Sequence, residues 1–191
     1  MNESVLSDYR ESLSKCMAEL NESQVAHLGE VLWKMFQEER QVFICGNGGS
    51  AANAMHIAND FLYGVCPNGQ AIKVEALSAN SAVLTCLGND IGFENIFAHQ
   101  LQVKGSAQDL LIVLSGSGNS SNILAAIDTA KSKGMYTYAI VGFDGGRAKT
   151  LADYNIHFDI ADMQVSEDMQ LILGHILMRD LNNKIASLND R

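Results

Sequence analysis

The chain has 191 residues, of which 47% are apolar, a length and composition typical of one globular domain with a sizeable core. No apolar run reaches the roughly 20 residues that a membrane helix needs, and the acidic N-terminal segment lacks the apolar region of a signal peptide, so we expect a cytoplasmic protein. The formal net charge of −9 argues against a broad nucleic-acid-binding surface, because such surfaces depend on clustered Lys and Arg. An anionic substrate would therefore need a local group of hydrogen-bond donors.

Two helices are predicted over residues 3–39, because apolar residues recur there at steps of three and four. Ser23 lies between them and is the predicted N-cap of the second helix. We expect this helical pair, within residues 1–40, to pack on the rest of the domain or on a partner subunit.

Short apolar runs follow from residue 41, and helical stretches separate them. The runs cover residues 42–46, 71–77, 109–115, 136–143 and 154–160. Near-continuous apolar strands that alternate with helices are typical of a parallel sheet covered on both faces. We therefore predict a single α/β domain over residues 1–191, with a doubly wound, flavodoxin-like sheet of five parallel strands. A long amphipathic helix from about Ser166 to Leu188 is predicted to end it.

A glycine-rich segment, CGNGGSAA at residues 45–52, follows the first strand and begins a helix; we call it the glycine loop. Backbone N–H groups at such a helix start can bind an anion. The segment also fits the dinucleotide pattern G-x-G-x-x-A, with Glu75 near the end of the next strand, and a turn without any ligand is a third interpretation. It lacks the Lys-Ser/Thr pair of a P-loop, which argues against nucleoside triphosphate hydrolysis.

A second segment, LSGSGNSS at residues 114–121, also follows a buried strand and precedes a helix; we call it the serine loop. Its hydroxyls and glycines at a helix start provide neutral donors for the terminal oxygens of a phosphate monoester. A serine-rich helix cap is the alternative interpretation. Open α/β sheets bind ligands at the carboxyl ends of their strands, so two such loops favour a phosphate site over a dinucleotide site.

The motifs GNGGSAANAMH, CLGNDIGFENIF, LSGSGNSSN and GFDGG together resemble the sugar isomerase (SIS) family, in particular its phosphoheptose isomerase branch. The resemblance covers most of the chain. It implies a homotetramer with active sites between subunits, and Asp90 in a segment that approaches the sugar. It also implies that the two loops hold the sugar phosphate through Asn47, Gly48, Gly49, Ser50, Ser115, Gly116, Ser117, Asn119 and Ser120.

An aldose–ketose isomerase needs a base and an acid in one cleft. His56 and Asp60 lie one helical turn apart on the same face, and the last helix carries Glu167 and His175. The resemblance implies that Asp60 is the base and His175 the acid, and that His56, Asp60, Glu167 and His175 surround one zinc ion per subunit. Eight helical residues separate Glu167 from His175 by about 12 Å, so both reach one ion only if Glu167 precedes the helix.

Several positions depart from the family pattern. Asp60 stands where the family has Glu, no cation follows Gly64, and Gly116 replaces a common Thr. Residues 163–166 replace an acidic and a basic residue of the family. These changes affect contacts with the sugar chain more than contacts with the phosphate.

The leading hypothesis is therefore a sugar-phosphate isomerase, with sedoheptulose 7-phosphate to D-glycero-D-manno-heptose 7-phosphate as the first choice of reaction. The alternatives are an isomerase for another phosphosugar of surface-polysaccharide synthesis, such as lipopolysaccharide or capsule, and a non-catalytic phosphosugar-binding or regulatory SIS protein. A nicotinamide oxidoreductase would require the serine loop to be coincidental.

Overall fold

A computed structural model of the chain describes residues 3–67 and 69–189. The strands are β1 (Gln41–Gly46), β2 (Lys73–Ala76), β3 (Leu110–Ser115), β4 (Tyr136–Val141) and β5 (Tyr154–His157). The α-helices of the described part are α1 (Glu3–Ala18), α2 (Glu22–Gln37), α3 (Gly49–Asn59), α4 (Ser81–Ile91), α5 (Ala98–Lys104), α6 (Ser121–Ser132), α7 (Gly146–Leu151) and α8 (Met163–Asn189). A π-helical turn spans Asp60–Gly64 and a 3₁₀ turn spans Phe93–Asn95.

The five strands form one parallel sheet in the order β2-β1-β3-β4-β5, which confirms the predicted doubly wound architecture. Four of the five predicted apolar runs contain the observed strands, and the first covers all of β1 except Gln41. β1 and β3 are adjacent, and Gly46 at the end of β1 pairs with Leu114 near the end of β3. The two candidate loops therefore leave the sheet side by side, at the point where the strand order reverses.

Two apolar layers cover the sheet. Alternate residues of β1, such as Val42 and Ile44, point into a layer formed with α1, α2, α3 and α8. The residues between them, such as Phe43 and Cys45, point into a layer formed with α5, α6 and α7. Burial on both faces explains why the central strands β1, β3 and β4 are nearly continuously apolar.

The helix boundaries differ from prediction at two places. Asn21, not Ser23, is the N-cap of α2, because its side-chain oxygen accepts hydrogen bonds from the backbone N–H groups of Ser23 and Gln24. α8 begins at Met163, three residues before the predicted start, and its Val165 N–H bonds the side chain of Asp162 just before the helix. The earlier start places Glu167 inside the helix.

The π-helical turn continues α3 and begins at Asp60, whose carbonyl accepts a hydrogen bond from Val65 N–H. No sequence signal indicated this widened turn. Such turns are often found at functional sites, and here one begins at a candidate catalytic residue. Over the ranges that the structure describes, none of the helices has the length and apolar character required to cross a membrane.

Candidate active site

Two hydroxyls of the serine loop accept hydrogen bonds from the backbone of the same loop. Ser115 Oγ accepts the Gly118 N–H at 3.0 Å, and Ser117 Oγ accepts the Asn119 N–H at 3.3 Å. Both hydroxyls act as acceptors in these bonds, so their own protons remain available for donation to an anion. Ser120 is the N-cap residue of α6, and its side chain makes no capping bond. The arrangement suits a phosphate group at the start of α6.

The Asn119 side chain stabilises the conformation of the serine loop through two hydrogen bonds. Its Nδ2 donates to the Ser117 carbonyl at 3.0 Å, and its Oδ1 accepts the Arg147 N–H at 3.1 Å. Gly118 has a φ of +65° and packs so closely against Gly145 that any side chain there would collide with the Gly145 carbonyl. The GFDGG segment, residues 142–146, therefore packs against the serine loop and stabilises its conformation.

The glycine loop lies across from the serine loop. Gly48 has a φ of +57°, a conformation that favours glycine, and its exposed backbone leads into α3. Ser50, in the first turn of α3, is only 3% exposed. Burial raises the pKa of the Cys45 thiol, which fits a protonated core residue rather than a nucleophile.

A pair of amides that the sequence analysis did not identify joins the two loops. Asn47 Nδ2 donates to Asn122 Oδ1, and Asn122 Nδ2 donates to Asn47 Oδ1, each at 2.8 Å. Asn47 belongs to the glycine loop, whereas Asn122 follows the serine loop as the second residue of α6 and is fully buried. The position of an Asn directly after the serine loop is the sequence feature that could have indicated this pair.

His56, Asp60 and His175 converge on one point, as the acid–base prediction requires. His56 Nε2 lies 3.0 Å from His175 Nε2, and Asp60 Oδ2 lies 3.4 Å from the first and 3.5 Å from the second. The Asp60 side chain is 15% exposed, and the two imidazoles are about half exposed. The helical spacing in α3 places His56 beside Asp60, and the packing of α8 on α3 brings His175 to them.

This group fits a metal ion. Two imidazole nitrogens and a carboxylate oxygen, all within 4.8 Å of one another, form a donor set that zinc accepts. The two Nε2 atoms, 3.0 Å apart, can form a hydrogen bond in suitable tautomers or direct their lone pairs at a common cation. The geometry therefore supports a site with His56, Asp60 and His175 as ligands.

Glu167 is not part of this group. It is the fifth residue of α8, so the condition for reaching the same ion as His175, a position before the helix, is not met. Its carboxylate instead lies against Gly49, where any side chain would overlap it. Asn53 Nδ2 donates to the Glu167 carbonyl at 2.8 Å and fixes this part of α8 to α3.

The first two turns of α8 cover the carboxyl edge of the sheet. Met163 lies on Gly116 of the serine loop, and Ser166 lies on Gly142 at the end of β4, each so close that a Cβ on the glycine would overlap it. Gly116 thus leaves space for Met163 rather than contributing a hydroxyl. Together with Glu167 on Gly49, these contacts place α8 directly over both loops.

Asp90 lies in the last turn of α4 and is exposed. Its carboxylate accepts hydrogen bonds from Asn89 and Cys86 of the same helix. None of the residues of α4 is buried, although the helix is largely apolar. Within one chain, the contacts of Asp90 are local.

Comparison with known proteins places these features in a family. The family model described as SIS domain matches residues 6–142. A phosphoheptose isomerase of Helicobacter pylori is 34% identical over 183 residues, which cover 95% of this chain and 94% of that protein. A phosphoheptose isomerase of Aneurinibacillus thermoaerophilus is 33% identical over 181 residues, covering 93% and 91%. The structure of a phosphoheptose isomerase from Francisella tularensis superposes with a TM-score of 0.89 at 24% identity over 94% of this chain and 95% of that one, which supports the fold.

Proposed function

Because the chain belongs to the SIS domain family and matches phosphoheptose isomerases over almost its full length, we propose that it is a sugar-phosphate aldose–ketose isomerase. The first choice of reaction is sedoheptulose 7-phosphate to D-glycero-D-manno-heptose 7-phosphate. The observation that carries the proposal is the convergence of His56, Asp60 and His175 beside two phosphate-type loops. A protein that only binds a phosphosugar has no need of such a group.

The two loops hold the phosphate. The hydroxyls of Ser50, Ser115, Ser117 and Ser120 and the backbone N–H groups of the glycine loop donate to its oxygens. Asn119 keeps the serine loop in shape, and Gly48 allows the backbone to approach the ligand, whereas Gly49 leaves room for the Glu167 carboxylate. With the phosphate fixed at this edge, the sugar chain extends under the first turns of α8.

Asp60 and His175 exchange protons with the sugar. The Asp60 carboxylate removes a proton from C1 of the ketose, while His175 donates a ring N–H proton to the C2 oxygen, giving the enediol. The Asp60 carboxyl then returns its proton to C2, and His175 takes the O1 proton as the aldehyde forms. Glu167, which lies on Gly49, is the first alternative for the base.

His56, Asp60 and His175 would hold zinc, one ion per subunit. When bound, zinc would polarise the substrate carbonyl as a Lewis acid. Asp60 has one methylene fewer than Glu, and its Oδ2 still lies within 3.5 Å of both imidazoles, at the residue where the π-helical turn begins. Its second carboxylate oxygen, Oδ1, accepts a long hydrogen bond of 3.4 Å from Asn59 Nδ2 and would carry out the proton transfer.

The enzyme is proposed to act as a homo-oligomer, as a tetramer with sites between subunits. The support is α4, which is apolar, has no buried residue, and carries the exposed Asp90. If α4 packs against a second copy, Asp90 reaches the sugar in the site of that copy. Sedimentation equilibrium measures the assembly directly.

The function is tested by incubating the purified protein with sedoheptulose 7-phosphate, with added zinc and after chelation, and by following the aldose product. We expect turnover that chelation lowers. Asp60→Asn should reduce kcat by about 100-fold or more, because general acid–base catalysis contributes about 10²–10⁴-fold, and should leave binding of inorganic phosphate within a few fold.

Asp128→Asn is the matched control, since Asp128 is an exposed carboxylate in the second half of α6. It should retain wild-type activity. An absence of turnover with every heptulose and hexulose phosphate, while phosphate binding persists, would refute the enzyme proposal. Full activity of Asp60→Asn would move the base elsewhere, first to Glu167.

A further inference from the structure

The reciprocal Asn47–Asn122 amide pair lies where the two phosphate loops face each other. β1 and β3 are neighbours, and the glycine loop and the serine loop leave their carboxyl ends in adjacent positions. A phosphate held by donors from both loops therefore needs a fixed separation between them. The two hydrogen bonds of 2.8 Å span this separation.

We propose that Asn122 is a positioning residue for phosphate binding, which fixes the distance between the glycine loop and the serine loop through its paired hydrogen bonds with Asn47. The proposal rests on the phosphate-binding role of the two loops given above. Asn122 itself is fully buried, so it acts through Asn47 rather than by contact with the ligand.

The chemistry of the pair supports this role. Each amide donates one N–H and accepts one, so the pair works only with an amide on both sides. A buried amide that loses its partner leaves unsatisfied polar groups, which is costly, so the loops are held in one register. Asn47 is half-buried and keeps a second N–H and a second lone pair for other contacts.

The position of Asn122 in the chain adds a second argument. It is the second residue of α6, and the helix start that it fixes is the one that presents Ser120 and the serine loop. A shift of α6 relative to β1 would move every donor of the serine loop together. Loss of Asn122 should therefore weaken phosphate binding as a whole rather than remove one contact.

The test measures the affinity for inorganic phosphate by isothermal titration calorimetry. Asn122→Ala should weaken phosphate binding about ten-fold or more, because a mispositioned set of donors loses several bonds at once. The control is Asn182→Ala. This substitution removes the 2.9 Å hydrogen bond that Asn182 Nδ2 donates to the Val65 carbonyl, at a position in α8 that is distant from the loops. Asn182→Ala should lose about as much stability as Asn122→Ala, and its phosphate affinity should stay within two-fold of the wild-type value.

A double-mutant cycle separates positioning from direct contact. If Asn122 acts through Asn47, the Asn47→Ala and Asn122→Ala effects on phosphate affinity will not add, and the double variant will resemble the weaker-binding single variant. Additive losses, or an Asn122→Ala protein with wild-type phosphate affinity, would overturn the proposal. If Asn122→Ala does not fold, Asn122→Ser, which keeps a hydroxyl in the cavity, should still weaken binding several-fold, and wild-type affinity there would have the same meaning.

Failure of the proposed function gives a different result. If the wild-type protein itself binds no inorganic phosphate, the phosphate-site assignment fails, and the role of Asn122 fails with it. If the wild type binds phosphate and Asn122→Ala binds it equally well, only the positioning role is refuted.

Discussion

At the scale of single residues, the contact between Met163 and Gly116 defines the wall of the site above the serine loop. Met163 occupies the space that a side chain at position 116 would need, and Phe143 Cε2 lies 3.9 Å from that space. The serine loop therefore faces a thioether and an aromatic ring at a place where the resemblance indicates a threonine hydroxyl. Gly116 and Met163 are coupled, because a side chain at position 116 would displace the end of Met163.

This coupling predicts the outcome of a double substitution. Gly116→Thr should destabilise the protein by about 1 kcal/mol, since the added atoms must displace the flexible thioether end of Met163. Met163→Ala alone should cost less than about 1 kcal/mol, because Met163 is 37% exposed. In the double variant the stability loss of Gly116→Thr should largely disappear, as measured by urea unfolding at fixed protein concentration. Simple additivity of the two losses would show that the residues do not compete for space.

At the scale of elements, α1 is tied to the part of α8 that covers the loops. The Tyr9 hydroxyl donates to Asp168 Oδ2 at 2.6 Å, and Asp168 follows Glu167 in α8. This hydrogen bond, with burial and the nearby charges of Asp168, Asp162 and Glu167, raises the pKa of Tyr9 to about 12. The N-terminal helix thereby bonds α8 next to the candidate site.

The raised pKa predicts an alkaline stability loss specific to Tyr9. The folded state holds the phenol proton more tightly than the unfolded state, so the stabilisation is complete below about pH 10 and is lost as pH rises towards 12. The bond contributes about 0.5–1 kcal/mol, since it is well exposed to solvent. Tyr9→Phe should be less stable than wild type at pH 8, and the difference should shrink by pH 11.5 in urea unfolding.

The comparison with Tyr9→Phe is needed because burial also raises the pKa of Tyr138 to about 12. Tyr138 titrates equally in both proteins, so its contribution cancels in the difference. Tyr63→Phe is the control, since Tyr63 is 62% exposed, and it should match wild type at both pH values. Parallel loss of stability in Tyr9→Phe and wild type would mean that the bond contributes nothing.

The elements of this fold were predictable to the extent that local pattern decides them. The three central strands, β1, β3 and β4, were found because burial on both faces makes each run nearly continuously apolar, whereas the edge strands β2 and β5 lie in runs that are only partly apolar. The π-helical turn at Asp60 was not found, since it depends on how α3 packs rather than on its own residues. The cap of α2 was assigned to Ser23, although Asn21 two residues earlier makes the bonds, because both residues are good caps and only geometry separates them.

The candidate site, like the fold, could be predicted from the sequence only where local spacing determines it. Helical spacing alone predicts that His56 lies beside Asp60. The position of His175 next to them depends on the packing of α8 against α3. Asn122 and the Tyr9–Asp168 pair join residues 75 and 159 positions apart, a kind of contact that no local pattern reports. Glu167 was expected at the metal group, whereas its position inside α8 places its carboxylate on Gly49.

At the scale of the whole molecule, a chain with a net charge of −9 is proposed to bind a phosphate dianion. The glycine loop and the serine loop contain no Lys or Arg, so their donors are neutral hydroxyls and N–H groups. The long-range field of the protein repels the ligand, and the short-range hydrogen bonds attract it. Salt screens the first effect much more than the second, since the Debye length falls from about 30 Å at 0.01 M to about 10 Å at 0.1 M.

Phosphate affinity should therefore stay constant or rise by about two- to five-fold when sodium chloride is raised from about 10 to about 150 mM. A site built on cations would show the opposite trend. Arg147 is the cation to test, because its backbone N–H bonds Asn119 in the serine loop and its side chain is exposed. If phosphate affinity falls with salt in the wild type and this dependence disappears in Arg147→Gln, Arg147 supplies a positive charge to the phosphate. If the affinity of both proteins is constant or rises with salt, neutral donors bind the dianion against the field of the whole chain.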